Sequence, residues 1–289
     1  VKPLVLDLTR LLPGPMASRV LGMLGFRVLR LLPPSGDLMA EFQPQTYAWL
    51  NEGKETVTLD LKTLEGKDRL FALAREAAVL FETNRPGVME RLGVGPEALR
   101  AVNPNLVYVR IAGFREPELR RAPGHDLTYL AHAGLLDHFG EAWRSLQLAD
   151  VGGAMWAALA ALEGLRRGGG FFEVYLSEAA EIFAYPKLPF LDGRVLCYAT
   201  YPAADGAVAL AALEPHLWRR FCQAAGKPHL AGAAFSPAEA TNPSFLELRA
   251  FFAKKPRAEW EAWAQAHDLP IAAVRDYEAR GVRLPWREY

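Results

Sequence analysis

Between Leu4 and Leu176, short runs of apolar, β-type residues alternate with segments of helical periodicity, and this alternation leaves the chain few ways to fold. Strands joined by helical crossovers pair in parallel, so the expected class is α/β, a Rossmann-like doubly wound parallel sheet of about six strands. The strands are read at residues 4–8, 28–32, 56–61, 78–81, 106–111 and 171–176, most of them apolar on successive residues, as strands covered on both faces are. Helices are expected at 15–24, 64–77, 96–102, 126–134, 151–167 and 177–185. Beyond Tyr185 the texture changes: 196–203 and 207–213 alternate about an Asp205-Gly206 turn and read as a hairpin. Helices follow at 216–225, from Asn242-Pro243, and at 257–266, where Trp260 and Trp263 share a face. The expected domains are a large one over 1–190 and a smaller α+β one over 191–289.

Composition narrows the partners. Thirty-three Lys and Arg balance 33 Asp and Glu, so no global field favours nucleic acid or an anionic membrane, and any anion must be met by a local cluster. The two cysteines, Cys197 and Cys222, form neither a CxxC pair nor a zinc spacing with histidine, which points away from a disulfide framework and a metal site and towards the cytoplasm. Apolar runs such as 154–162 fall short of the ~20 residues that span a bilayer. The opening Val1-Lys2-Pro3 leads into a strand without the apolar stretch of a secretory signal.

Three ionisable groups stand at element junctions, where α/β folds assemble sites. Gly124 can free the backbone before a helix that Asp126 could cap, leaving His125 at the N-terminal rim, either as a neutral base or as a surface histidine beside a cap. Asp150 precedes Val151-Gly152-Gly153 and a long apolar helix, and reads as a carboxylate facing a ligand or as a simple N-cap. Glu214 ends the hairpin before Pro215 and could be an ordinary first-turn acid. Lys62, Arg85 and Arg91 follow strand ends, where phosphates bind and where solvated surface charge is also common. Neither GxGxxG nor GxxxxGK occurs, and His132, Asp137 and His138 fit no common metal spacing.

The ordered blocks Val5-Leu6-Asp7-Leu8-Thr9, Thr58-Leu59-Asp60-Leu61-Lys62, Asn84-Arg85-Pro86-Gly87, Gly124-His125-Asp126-Leu127-Thr128-Tyr129, Ala149-Asp150-Val151-Gly152-Gly153 and Leu213-Glu214-Pro215 resemble the family III CoA-transferases, the CaiB/BaiF-like superfamily. The Gly-His-Asp block is most similar to the α-methylacyl-CoA racemases within it. The resemblance implies inversion of the 2-methyl-bearing α-carbon of a branched acyl-CoA by 1,1-proton transfer through an enolate, in a racemase that needs no cofactor because the CoA thioester is the substrate. It gives His125 and Asp150 the acid/base roles and Glu214 the orientation of His125. Leu59, Asp60, Leu61, Lys62, Thr83, Asn84, Arg85, Arg91, Gly124, Asp126, Leu127, Thr128 and Tyr129 would line the CoA and thioester site. The alternatives are a CoA-transferase with Asp150 as nucleophile and a shortened, non-catalytic acyl-CoA-binding homologue.

The chain departs from the family pattern in having Leu31-Leu32-Pro33-Pro34 where an Arg-Pro pair is usual and Gly53-Lys54-Glu55 where Gly-Lys-Arg is common. Weaker nucleotide contacts are expected from this. A short linker over 186–194 and the lack of a return segment after Tyr289 lead to the expectation of a homodimer in which each small domain packs on a large domain.

Overall fold

The structure is a computed structural model that describes residues 2–139, 146–184, 191–276 and 285. The chain divides into two compact units, Val1–Tyr185 with Gly281–Tyr289, and Pro186–Arg280. The sequence-based boundaries, 1–190 and 191–289, stand beside these units, and the linker read at 186–194 lies mostly outside the described residues.

In chain order the first unit contains β1 (Leu4–Leu8), α1 (Pro13–Met23), β2 (Arg27–Leu32), α2 (Leu38–Phe42), α3 (Pro44–Asn51), β3 (Glu55–Thr58), α4 (Leu64–Glu76), β4 (Ala77–Glu82), α5 (Val88–Arg91), α6 (Pro96–Val102), β5 (Val107–Ala112), α7 (Asp126–His132), α8 (Leu135–Phe139), α9 (Leu148–Arg167), β6 (Gly170–Tyr175) and α10 (Leu176–Glu181). The six strands form one sheet in the order β3-β2-β1-β4-β5-β6, and every pair is parallel. The doubly wound expectation holds. Strand order reverses between β1 and β4, so the crevice beyond their C-terminal ends is where such a sheet takes ligands.

The inner strands are mostly apolar and bury both faces. Val5, Val79, Phe81, Val107 and Val109 lie in one core with Ala17 and Leu21 of α1 and the inner side of α9. Leu4, Leu6, Leu29, Leu31, Leu80 and Tyr108 lie in the other with Leu70 of α4 and Leu99 of α6. In α9 the usual amphipathic arrangement is turned round. Its buried side is Ala149, Gly152, Gly153, Ala154, Ala157, Ala158, Ala161 and Gly164, while Met155, Trp156, Leu159 and Leu162 face outward. Small residues bring the helix close: a side chain on Gly164 would meet Val107 and Phe172, and one on Gly153 would meet Leu176 of α10. By length and composition α9 could cross a membrane, which corrects the expectation that no apolar segment is long enough. Its small-residue side is packed into the core beside the sheet.

Three local readings need revision. β3 stops at Thr58 rather than 61: the Leu59 amide still donates to the Leu32 carbonyl at 2.7 Å, but Asp60 then accepts the Lys62 amide at 3.0 Å. Thr63 caps α4 through the Gly66 amide, so the chain has already turned. α2 and α3 were not expected, because between them they bury only Leu50 and show no apolar period. α9 begins at Leu148 rather than 151, with consequences for the site.

The second unit holds β7 (Tyr198–Ala203), β8 (Gly206–Ala211), α11 (Pro215–Ala224), α12 (Pro243–Phe252), α13 (Arg257–Ala266) and β9 (Ile271–Val274), with the strands antiparallel in that order. Ala203 pairs with Gly206, so the hairpin loop is Ala204-Asp205, one residue earlier than read, and Gly206 takes a φ of 152° that suits only glycine. The core is aromatic. Phe221 stacks on Phe252 at 5.8 Å, while the indole N–H groups of Trp218 and Trp260 donate to the Leu230 and Phe252 carbonyls at 3.0 and 2.7 Å.

Candidate active site

The site grows from the first turns of α7 and α9. His125 is the N-cap of α7: its amide donates to Thr128 Oγ1 at 3.1 Å, the Thr128 hydroxyl donates back to the His125 carbonyl at 2.8 Å, and the residue is exposed. Asp126, expected to be the cap, is instead the first helical residue. It is buried, and its Oδ1 accepts the Asp150 amide at 2.9 Å. Asp150, expected to precede its helix, sits within the first turn of α9. A contact across 24 positions thus joins Asp150 to Asp126, the residue after His125.

No cation is paired with this couple of carboxyls among the described residues. Burial, reinforced by the neighbouring Asp126 carboxylate, pushes Asp150 up to about 7. Burial also raises Asp126, against the pull of backbone N–H groups from Asp150 and Ala149. Tyr129 is driven up to about 12 by burial and then by Asp150, with Arg85 acting in the opposite sense. The Tyr129 ring lies against Gly113 and Gly124, where a side chain would collide with it, and Phe114 meets it edge-on at 5.1 Å. Gly124 therefore makes room for a tyrosine. Leu127 and Thr128 are exposed beside His125.

A cavity of about 350 Å³ opens at the strand-order reversal, walled by Leu8, Thr9 and Arg10 after β1, by Asn84 after β4, and by Leu59, Asp60, Leu61, Lys62 and Arg91. Two members of the expected basic strip, Lys62 and Arg91, share this cavity; Arg85 is not among its walls. Thr83 lies behind it, its hydroxyl oxygen accepting the Arg10 amide at 3.1 Å. Two cations were not anticipated. Arg10 lines the cavity, and the Arg121 guanidinium adjoins that of Arg91, the two lying 3.6 and 3.3 Å from where a Gly87 side chain would start. The position of Arg10 directly after β1 was a usable signal, whereas Arg121 sits in an irregular loop that offers none.

The cations nearest the missing family arginine serve other partners. Arg27 pairs with Glu55 at 2.6 Å. Arg30 is fully buried between Asp7 and Asp37, and Lys54 donates to Asp7, Asn51 and the Pro15 carbonyl. His132 Nε2 lies 3.0 Å from a Glu116 carboxylate oxygen, while the side chain of His138 is outside the described residues. Glu214 stands exposed at the N-cap of α11, within the second unit.

A family model described as CoA-transferase family III matches residues 3–184 and 186–283. An alpha-methylacyl-CoA racemase of Mus musculus is 31% identical, the alignment covering 95% of this chain and 77% of that protein. A probable fatty acyl-CoA transferase of Mycobacterium tuberculosis is also 31% identical, over 94% of this chain and 85% of its own. A crystal structure of a hypothetical protein from Mycobacterium tuberculosis has a TM-score of 0.79 and 29% identity, covering 95% of this chain and 84% of the other. By a match that runs nearly end to end, the chain belongs to the CoA-transferase family III.

Proposed function

We propose that this protein inverts the 2-methyl-bearing α-carbon of a branched acyl-CoA, with His125 and Asp150 as its two acid/base groups. The observation that carries the reading is the coupling at α7 and α9: an exposed histidine adjoins the aspartate that holds the Asp150 amide, and Asp150 itself is raised to about 7. A thioester acidifies its α-proton. Neutral His125 takes that proton from one face, the electron pair passes to the carbonyl oxygen as an enolate, and protonated Asp150 returns a proton to the other face; the reverse direction exchanges the roles. The Thr128 amide is engaged with the His125 carbonyl, and the Asp126 and Leu127 amides of the first turn of α7 are assigned as donors to the enolate oxygen. Lys62, Arg10 and Arg91 are assigned to the CoA phosphates and Glu214, from the family resemblance, to the orientation of His125. A homodimer acting in the cytoplasm completes the proposal.

The transferase relative favours a second reading, in which ionised Asp150 attacks the thioester and carries the acyl and then the CoA group. A nucleophile must be ionised whereas an acid must hold a proton, and a raised Asp150 supports the second role at neutral pH. Exchange of the α-proton of a 2-methylacyl-CoA in D₂O, run beside an assay for CoA transfer to a free acid, tests both. Exchange without transfer is the expected result, and transfer without exchange overturns the racemase reading.

A further inference from the structure

α9 presents a capping problem that it does not solve locally. Its own N-cap residue, Gln147, makes no side-chain hydrogen bond to the first turn, so the amides there need a partner from elsewhere. Asp126 supplies it from another helix, accepting the Asp150 amide at 2.9 Å, with the Ala149 N–H also favouring its charge. Asp126 is itself the first residue of α7, so its carboxylate stands where two helix N-termini converge, and both favour negative charge. The Asp150 carboxyl, by contrast, accepts no hydrogen bond from the described residues. Of these two acids the protein solvates Asp126, so the charge falls to Asp126 and the proton to Asp150.

We propose that Asp126 is a positioning residue for Asp150: from α7 it caps the first turn of α9, fixing where the Asp150 carboxyl is presented and setting a second negative charge beside it. Among the described residues, no cation on the elements packed against α9 pairs with either acid: β5 brings Arg110, which is paired with Glu82 of β4, Glu173 of β6 and Glu90. On α7 the other ionisable groups are Tyr129 and His132, the latter beside Glu116; α1 brings Arg19, paired with Glu52; α10 brings Glu178, paired with Arg115, and Glu181. Arg85 acts on Tyr129. The proposal rests on the acid/base reading only in the value it gives to Asp150, and its geometry stands without it.

The test uses the ligand-free, full-length protein. The infrared band of the protonated carboxyl that Asp150→Asn removes is followed against pH in wild type and in Asp126→Asn, which keeps an oxygen acceptor for the two amides and drops the charge. The midpoint, about 7 in wild type, is expected to fall by about one unit or more. A midpoint unchanged in a folded variant overturns the proposal. Should Asp126→Asn not fold, wild-type amide exchange decides: the Asp150 amide is expected to be as protected as the interior of α9, and rapid exchange there removes the cap. If the wild type exchanges an acyl-CoA α-proton, Asp126→Asn is further expected to lower kcat, displace its pH profile to the acid side and leave KM unchanged, and a kcat pH profile that stays in place counts against the proposal. If the wild type exchanges no α-proton, the racemase reading fails while the titration still decides the role of Asp126.

Discussion

Two groups of carboxyls in the first unit, one around fully buried Asp7 and one made of buried Asp126 and half-buried Asp150, have opposite surroundings. Asp7, on β1, is fully buried with Lys54 and Arg30 beside it, the Ser18 hydroxyl donating at 2.5 Å and the Thr9 amide at 3.0 Å. Burial works to raise it, but the two cations and the hydrogen bonds outweigh burial and hold it below the usual carboxylate range. Lys54 is in turn drawn down to about 8 by its own burial, with Asp7 resisting. Asp150 has as its charged neighbour another acid, and it moves up. Full charge compensation makes the first group a rivet for α1, α3, β1 and β2. Lack of compensation leaves the second holding a proton that it can release near neutral pH, which is a requirement of chemistry and not of architecture.

The sharpest way to separate them is to neutralise each in turn. Asp150→Asn is expected to cut inversion of the α-carbon by a factor on the order of 10²–10⁴ without lowering the urea midpoint, since it removes a half-buried charge that no cation among the described residues compensates. Asp7→Ala should do the reverse of this. Lys54 and Arg30 lose a buried counter-ion, at a cost of about 3–5 kcal/mol in urea unfolding.

The pH dependence of stability should differ in sign between the two. Folded Asp150 titrates above its unfolded value, so the native chain binds the extra proton between about pH 4 and 7 and stability declines as pH rises through that window. The slope from this group is at most about 1.4 kcal/mol per pH unit, and Asp150→Asn is expected to flatten it. Folded Asp7 titrates below its unfolded value, so its contribution is complete above about pH 4 and is lost as the medium becomes more acid. Denaturant titrations of wild type and Asp150→Asn at intervals across this range check both signs. The smallest effect is expected at the cavity. Arg91→Ala should weaken binding of a CoA ester by roughly tenfold or less, and by less still at high salt, because the lost cation is exposed; affinity independent of both would remove Arg91 from the phosphate contacts.

What the sequence made legible follows from how local each signal is. β1 was read to the residue, and β2 and β4 to within one, because strands buried on both faces are mostly apolar on successive residues. β3 misled because Leu59 and Leu61 continue the alternation begun by Val57 while lining the cavity wall. α2 and α3 left only the cap at Asp37 and the proline at 44 as traces. The start of α9 was misplaced for a deeper reason: its cap arrives from residue 126, and no window around residue 150 contains that information. His125 and Asp150 were identifiable as candidates, but the hydrogen bond that relates them through Asp126 exists only after folding.

The reversed face of α9 also redraws where this helix can accept change during evolution. In an ordinary surface helix the large apolar positions are the guarded ones and the alanines drift. Here Gly153 and Gly164 take no added methyl without moving Leu176, Val107 or Phe172, so even Gly→Ala, which favours a helix by its intrinsic propensity, forces its neighbours to shift. Trp156 and Leu159, though the bulkier residues, are about half exposed and free to vary as far as the folding of this chain is concerned. A constraint at either of them among natural variants would have to come from something outside the chain's own core.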